Sequence, residues 1–363
     1  MKVCHLTTTH PPDDARIARE GNTLCRCGHR VTVATIPPGY PKWQHPLKLL
    51  QLAAESLRHD ADIYHCHEPD ALTIGLLHKL RGKQVVYDVH EHWPSELPHD
   101  IGAPQTLAPF IDPVERWLAR RADAVIAVSE SVGARFDRPV ILPNYPDPAT
   151  TLLPPPATLD LHAFSCIAAK LHTFHGVPEA LAAVDRLRAG GWEDARLTLI
   201  GNRAVSVPAG APVTCTGYIP QAQVPATLQT AGVGLVLLQP EYENIRIGLP
   251  NKLFASMAAG VPVIASALPE IQRVVENARC GLLVPPGDVD GIVDAAIWLA
   301  DHPNAARAMG SNGQAAIRDR YHWSAVEGRL IRLYGEVAEV DISKDASPVR
   351  VTSSTRSNLE EHT

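Results

Sequence analysis

Short apolar runs, many of them β-branched, alternate along this chain with longer stretches whose apolar positions recur every three or four residues. The first pattern suits strands buried on both faces and the second suits amphipathic helices, so the alternation predicts parallel α/β layers. In the first part of the chain, strands are expected at 2–6, 31–36, 63–66, 84–89, 124–128 and 140–142, with helices such as 16–27, 71–81 and 113–121 between them. Prolines at 146, 148, 154, 155 and 156 then interrupt the pattern. That density sustains neither a helix nor an interior strand and predicts a linker at 146–158. The alternation restarts with strands at 164–168, 196–201, 213–217, 233–238, 263–266 and 281–284, and helices at 177–189, 224–231, 251–259, 271–277, 290–300 and 323–337. The polar end, 341–363, lacks an apolar period and reads as a disordered tail. The expected organisation is a domain over 1–145, a second over 159–320 and a closing helix over 321–340. A cleft lies between the domains, because doubly wound sheets bind ligands beyond the carboxyl ends of their strands.

Composition narrows the class. At 363 residues the chain exceeds the roughly 250–300 that one core supports, which agrees with two domains. A net charge of −6 argues against nucleic-acid binding. No run approaches the roughly 20 apolar residues of a membrane span, and residues 1–7 lack the apolar stretch of a secretory signal. Seven scattered cysteines suit reduced thiols, so a cytoplasmic protein is expected. Cys25 and Cys27 fall on a predicted helix, where positions i and i+2 diverge. The pairs His65/His67 and His90/His92 alternate on strands and would share a face, so two strands could gather four imidazoles around a metal; strand ends also carry polar residues without one.

Four stretches carry more specific information. Residues 10–20 contain His10, Asp14, Arg16, Arg19 and Glu20, and residues 62–70 contain His65, His67, Glu68 and Asp70. Residues 86–91 contain Asp88, His90 and Glu91, and residues 249–264 open on Leu249, Pro250, Asn251 and Lys252 and pass through Met257 and Gly260. Through these stretches, in order from about residue 2 to 337, the chain resembles glycosyltransferase family 4. Those are retaining enzymes with the GT-B fold, two facing Rossmann-like domains.

The resemblance implies a nucleotide-diphosphate sugar donor, UDP- or GDP-linked, with neither cofactor nor metal. The donor would sit on the second domain and the acceptor on the first, with closure about 144–156 and residue 320. Lys170 and His175 fall where the family carries an arginine and a lysine against the diphosphate. A neighbouring diphosphate would favour the protonated form of His175; its bland alternative is a loop histidine before a turn. Gly248 and Leu249 would let backbone approach the donor, and Pro250 and Asn251 open a helix whose free N–H groups suit an anion. Lys252 adds charge or lies on the solvated side. Gly201, Asn202, Gly217 and Tyr218 would line the base pocket. His90 falls at the family's cleft histidine, orienting sugar or acceptor, and Glu91 would contact the acceptor. Asp14 either caps the first helix or meets ligand, and Arg16 is a candidate cleft charge.

One departure stands out. The family's paired glutamates fall here on Ile247 and Ala255, so the carboxylate that usually holds the ribose is absent, and Ser256, Asn251 or Glu243 would have to replace it. The favoured expectation is an active enzyme using a small-molecule acceptor, such as a natural-product intermediate. The alternatives are a glycolipid or polysaccharide acceptor, with peripheral membrane contact, and a catalytically silent partner protein.

Overall fold

The computed structural model describes residues 1–345 apart from 9, 12–13, 37–44 and 103. Among them, twelve strands form two six-stranded sheets, parallel throughout. The first contains β1 (Lys2–Thr7), β2 (Arg30–Thr35), β3 (Ile63–His67), β4 (Gln84–Val89), β5 (Ala124–Ala127) and β6 (Val140–Ile141), in the order β2-β1-β3-β4-β5-β6. The second contains β7 (Ala163–Leu171), β8 (Arg196–Arg203), β9 (Val213–Gly217), β10 (Val233–Val236), β11 (Val263–Ser266) and β12 (Gly281–Val284), in the order β12-β11-β10-β7-β8-β9. Read from β9, the second order is the Rossmann 3-2-1-4-5-6. Strand order reverses between β1 and β3 in one sheet and between β7 and β10 in the other. Crevices that accept ligands form at such points.

The expected strands are all present, because helices cover both faces and make each strand a nearly continuous apolar run. Every residue of β4 is buried. Helices diverge more from expectation. Helix Pro303–Asp319 lies outside the expected set, and its Gly310 and Gly313 serve packing. A Cβ on Gly310 would lie 2.1 Å from the Gly260 carbonyl oxygen, and one on Gly313 3.2 Å from Met257 Cα. The missing side chains let this helix press against helix Asn251–Ala259. Helix His45–Ser56 fills the expected place between β2 and β3. Within the proline-rich linker one helical turn forms, Pro148–Thr151. Pro148 occupies its first position, where no N–H is needed, and Asp147 accepts from the Ala149 N–H at 3.0 Å.

The closing helix, Trp323–Asp345, runs past the expected end, and the last 18 positions of the expected tail, 346–363, lie outside the described residues. It returns to the first sheet, packing on helix Ala15–Arg26 and β6. Trp323 Nε1 donates to Thr23 Oγ1 at 2.9 Å, and the Tyr334 hydroxyl lies 2.7 Å from His65 Nδ1. Apolar contacts also bridge the halves: Ile247 packs into the core of the first sheet, and Tyr145, Phe254 and Tyr321 stack edge-on and tilted at 5.1–5.7 Å. Among the described residues no helix is long and apolar enough to cross a membrane.

Candidate active site

The carboxyl ends of the two sheets face each other across a cavity of about 400 Å³. His90, just past β4, and Glu91 line one wall; His175 and residues 248–252 line the other.

The His90 wall is built from charge. Asp88 is fully buried and receives both Nε and Nη2 of Arg16, at 2.8 and 2.7 Å. Burial alone would raise the Asp88 carboxyl, but the Arg16 guanidinium, with His90, holds it well below the usual carboxylate range. Its Oδ2 lies 3.0 Å from His90 Nε2, and His67 Nδ1 lies 2.9 Å from the same nitrogen. His67 in turn meets His5 Nδ1 through Nε2 at 2.8 Å. His5, His65 and His67 are pushed toward the neutral form by burial. Glu20, beside Arg16, moves the other way from Asp88: burial and the Asp88 charge push it well above the carboxylate range. Asp88 therefore stands behind His90, and Arg16, which reaches the cavity lining, does so already paired with Asp88.

Glu68 completes this wall. It has a left-handed backbone, φ 71°, at the first residue of helix Glu68–Lys79, a strained conformation for a side-chain-bearing residue. The turn aims its carboxylate at His90 Nδ1, 3.5 Å away, and at His10 Nε2, 4.0 Å away. Asp14 reaches the other face of His10 at 3.3 Å while its Oδ1 caps the first helix through the Arg16 and Ile17 N–H groups. Burial lowers His10, but Asp14 and Glu68 more than offset it and hold it up to about 10, which favours a protonated imidazole at the cavity; the stretch 10–20 contained His10 without marking its charge.

The second wall is built from backbone. Pro250 is the N-cap of helix Asn251–Ala259 and no side chain caps it, so its first N–H groups keep their donor capacity at the cavity. Gly248 has no room for a side chain: a Cβ would lie 2.8 Å from the Asn244 carbonyl oxygen. Lys252 is pushed down to about 8 by burial. His175 lines this wall as well. Its Nδ1 accepts the His172 N–H at 3.0 Å, and burial, Lys252 and His172 push it down to about 3. It sits in the turn before Gly176, whose φ of 75° and closeness to the Leu237 carbonyl admit only glycine.

The remaining expected positions are dispersed. Gly201, Asn202 and Gly217 line a separate concavity, about 690 Å³, and Tyr218 stands 72 % exposed. Lys170 is exposed on β7 opposite Asn202 and lines neither hollow. Among the residues offered in place of the missing glutamate, Ser256 is buried and donates to the Lys252 carbonyl, and Glu243 is engaged with Arg246. Asn251 alone of the three is exposed and lines the cavity. Glu91 and the backbone N–H of His92 meet Asn244, which bridges the domains: its Oδ1 accepts the His92 N–H at 2.8 Å and its Nδ2 donates to Glu96 at 2.7 Å and Glu91 at 3.3 Å. The His92 ring goes to Ser95, so the four-imidazole set of His65, His67, His90 and His92 does not assemble.

Comparison with known proteins agrees with this architecture. The Glycosyltransferase Family 4 model matches residues 3–144, and the Glycosyl transferases group 1 model matches residues 164–302. The chain is thus a glycosyltransferase of the family 4 kind, with the GT-B fold. It is 24 % identical to the MMP alpha-(1->4)-mannosyltransferase of Mycolicibacterium hassiacum over 92 % of this chain and 84 % of that one. It is 38 % identical to the phosphatidyl-myo-inositol mannosyltransferase of Mycobacterium leprae, over 24 % of this chain and only 23 % of that relative's length. Among solved structures, Anabaena Alr3699/HepE in complex with UDP superposes with a TM-score of 0.66 at 16 % identity, covering 94 % of this chain and all of that one.

Proposed function

We propose that this glycosyltransferase moves a sugar from a UDP- or GDP-linked donor to a hydroxyl or similar nucleophile of a small-molecule acceptor, with retention at the anomeric carbon. The observation that carries the reading is the pairing of two unlike walls on one cavity: an uncapped helix N-terminus with Lys252 facing a rigidly held His90. The diphosphate lies at the helix N-terminus and against the Lys252 ammonium, where both stabilise the charge that grows as the sugar leaves. The bond from the anomeric carbon to the phosphate oxygen breaks, and the acceptor oxygen bonds to the same face. The acceptor's proton passes to the departing phosphate oxygen. His90, backed by Asp88, orients the sugar and acceptor and needs no strong basicity for this. Asn251 is assigned to the ribose in place of the absent glutamate, and the concavity at Gly201, Asn202 and Gly217 to the base. No cofactor is required in this scheme.

A thermal-shift and calorimetric screen with UDP, GDP and their sugars tests it. Selective stabilisation by one nucleotide is expected; failure of every nucleotide overturns it. Product anomeric configuration, read by NMR, tests retention.

A second reading has its own observation. Leu107, Phe110, Val114 and Trp117 are exposed at spacings of three and four along and just before helix Ala108–Ala119, with Arg116, Arg120 and Arg121 beside them. The Arg121 guanidinium lies 3.3 Å from the Trp117 ring centroid. An apolar stripe rimmed by arginine suits an anionic membrane and therefore a lipid-linked acceptor. Sedimentation with phosphatidylglycerol vesicles separates the two: strong pelleting, lost in Phe110→Ser with Trp117→Ser, favours the lipid acceptor.

A further inference from the structure

Behind His90 lies a cluster that sugar transfer does not use. His5, Glu20, His65 and His67 are all fully buried. His5 on β1 and His65 on β3 are register partners with rings stacked at 4.5 Å, and Glu20 reaches in from helix Ala15–Arg26, its Oε2 3.6 Å from His65 Nε2. One nitrogen of each of the two stacked rings is accounted for: His5 Nδ1 lies 2.8 Å from His67 Nε2, and His65 Nδ1 lies 2.7 Å from the Tyr334 hydroxyl. The opposite nitrogens are not. His5 Nε2 and His65 Nε2 have no hydrogen-bond partner among the described residues. Neither Glu20 oxygen accepts a hydrogen bond, although Oε1 lies 3.1 Å from Arg16 Nε as an ion pair. Ligating atoms of the four side chains all lie within 4.8 Å of one another. Buried polar atoms without partners are rare, and several converging on one place point to a missing occupant.

We propose that this cluster is a buried divalent-cation site, filled by Zn²⁺, with His5 Nε2, His65 Nε2 and the Glu20 carboxylate as its ligands. The contacts already present are those a zinc site uses to orient its imidazoles: with both Nε2 atoms on the ion, His5 Nδ1–H would donate to His67 Nε2 and His65 Nδ1–H to the Tyr334 hydroxyl. Imidazole nitrogens with one carboxylate suit Zn²⁺ better than Ca²⁺ or Mg²⁺, which prefer oxygen alone. Charge points the same way. Arg16 pairs with both Asp88 and Glu20, His65 Nε2 lies 3.7 and 3.6 Å from their oxygens, and a bound cation would let both carboxylates remain ionised. Zinc ligands stand about 3.4 Å apart around a tetrahedral ion, so on binding the stacked rings of His5 and His65 tilt toward a common point and the cluster contracts. Because all the ligands are shielded from the cavity, the ion clamps the fold. It ties β1, β3 and the first helix together beneath His90 and, through Tyr334, holds the closing helix.

The test uses the full chain without a polyhistidine tag, produced in minimal medium with added zinc sulfate, purified without chelator and assayed for metal by mass spectrometry. About one equivalent of zinc per chain is expected, since a closed site loads as the chain folds. Glu20→Gln and His65→Asn should each lower the content about tenfold or more, whereas His92→Asn should leave it unchanged. Should those two variants fail to fold, X-ray absorption at the zinc edge of the unsubstituted protein decides, with two imidazoles and only nitrogen or oxygen ligands expected. A sulfur-containing shell, zinc retained at full occupancy by folded Glu20→Gln and His65→Asn, or less than about a tenth of an equivalent from zinc-fed cells overturns the proposal.

Discussion

The two walls of the cleft reach rigidity by different means. On the first domain a side chain, His90, is held by other side chains: Asp88 behind it, Arg16 behind Asp88, and His67 and Glu68 beside it. On the second domain the backbone itself is the working surface, shaped by Gly176, Gly248 and Pro250, with Lys252 as the local charge. A wall of buried charges loses both its geometry and its stability when one member is removed. A wall of backbone donors tolerates side-chain loss, and its single lysine can be deleted at little structural cost.

The largest expected effect tests that contrast directly. Asp88→Asn leaves Arg16 buried without its bidentate partner and should cost about 3–5 kcal/mol of stability, read as a lower melting temperature and urea midpoint. His90→Ala should lower turnover about 10²-fold by misplacing the reacting groups, with nucleotide affinity unchanged; an equal loss of nucleotide affinity would mean that the walls do not divide their tasks. Lys252→Ala should weaken nucleotide-sugar binding by about one to two decades with little change in melting temperature. Lys252 titrates at about 8 in the free protein, so affinity should be steady below that pH and fall above it, and the substitution should abolish the fall. The smallest effect concerns His10. Its folded pKa, about 10, lies above the unfolded value. Its stabilising contribution is therefore complete below about pH 6.5 and fades as pH rises through 10. His10→Gln should lower the melting temperature more at pH 6 than at pH 10, and an equal drop at both would break the assignment.

Much of the frame was legible in the sequence, because a strand covered on both faces must be apolar nearly end to end; Gln84–Val89 and Val263–Ser266 could be read to the residue. Helix Pro303–Asp319 was not, since glycine discourages a helix locally and only the close approach of helix Asn251–Ala259 makes Gly310 and Gly313 favourable. At the site, His90 and residues 248–252 were legible as motif positions. His5 was hidden inside an apolar strand, and nothing local distinguishes it from a core residue until β1 and β3 are known to be neighbours. The surroundings of His175 were not legible, since burial and Lys252, which lower its basicity, are brought to it only by the fold.

By itself the amino-acid order determined two parallel α/β layers, the linker between them and a glycosyltransferase-like set of words at the strand ends. These follow from apolar periodicity and turn chemistry, which act over a few residues. Tertiary structure alone decided which histidines meet, that Asp88 faces Arg16 and His90, that Ile247 enters the core of the opposite domain, and which charges survive burial. Those outcomes depend on desolvation and on Coulomb interactions between residues far apart in sequence, and neither exists until the sheets have assembled.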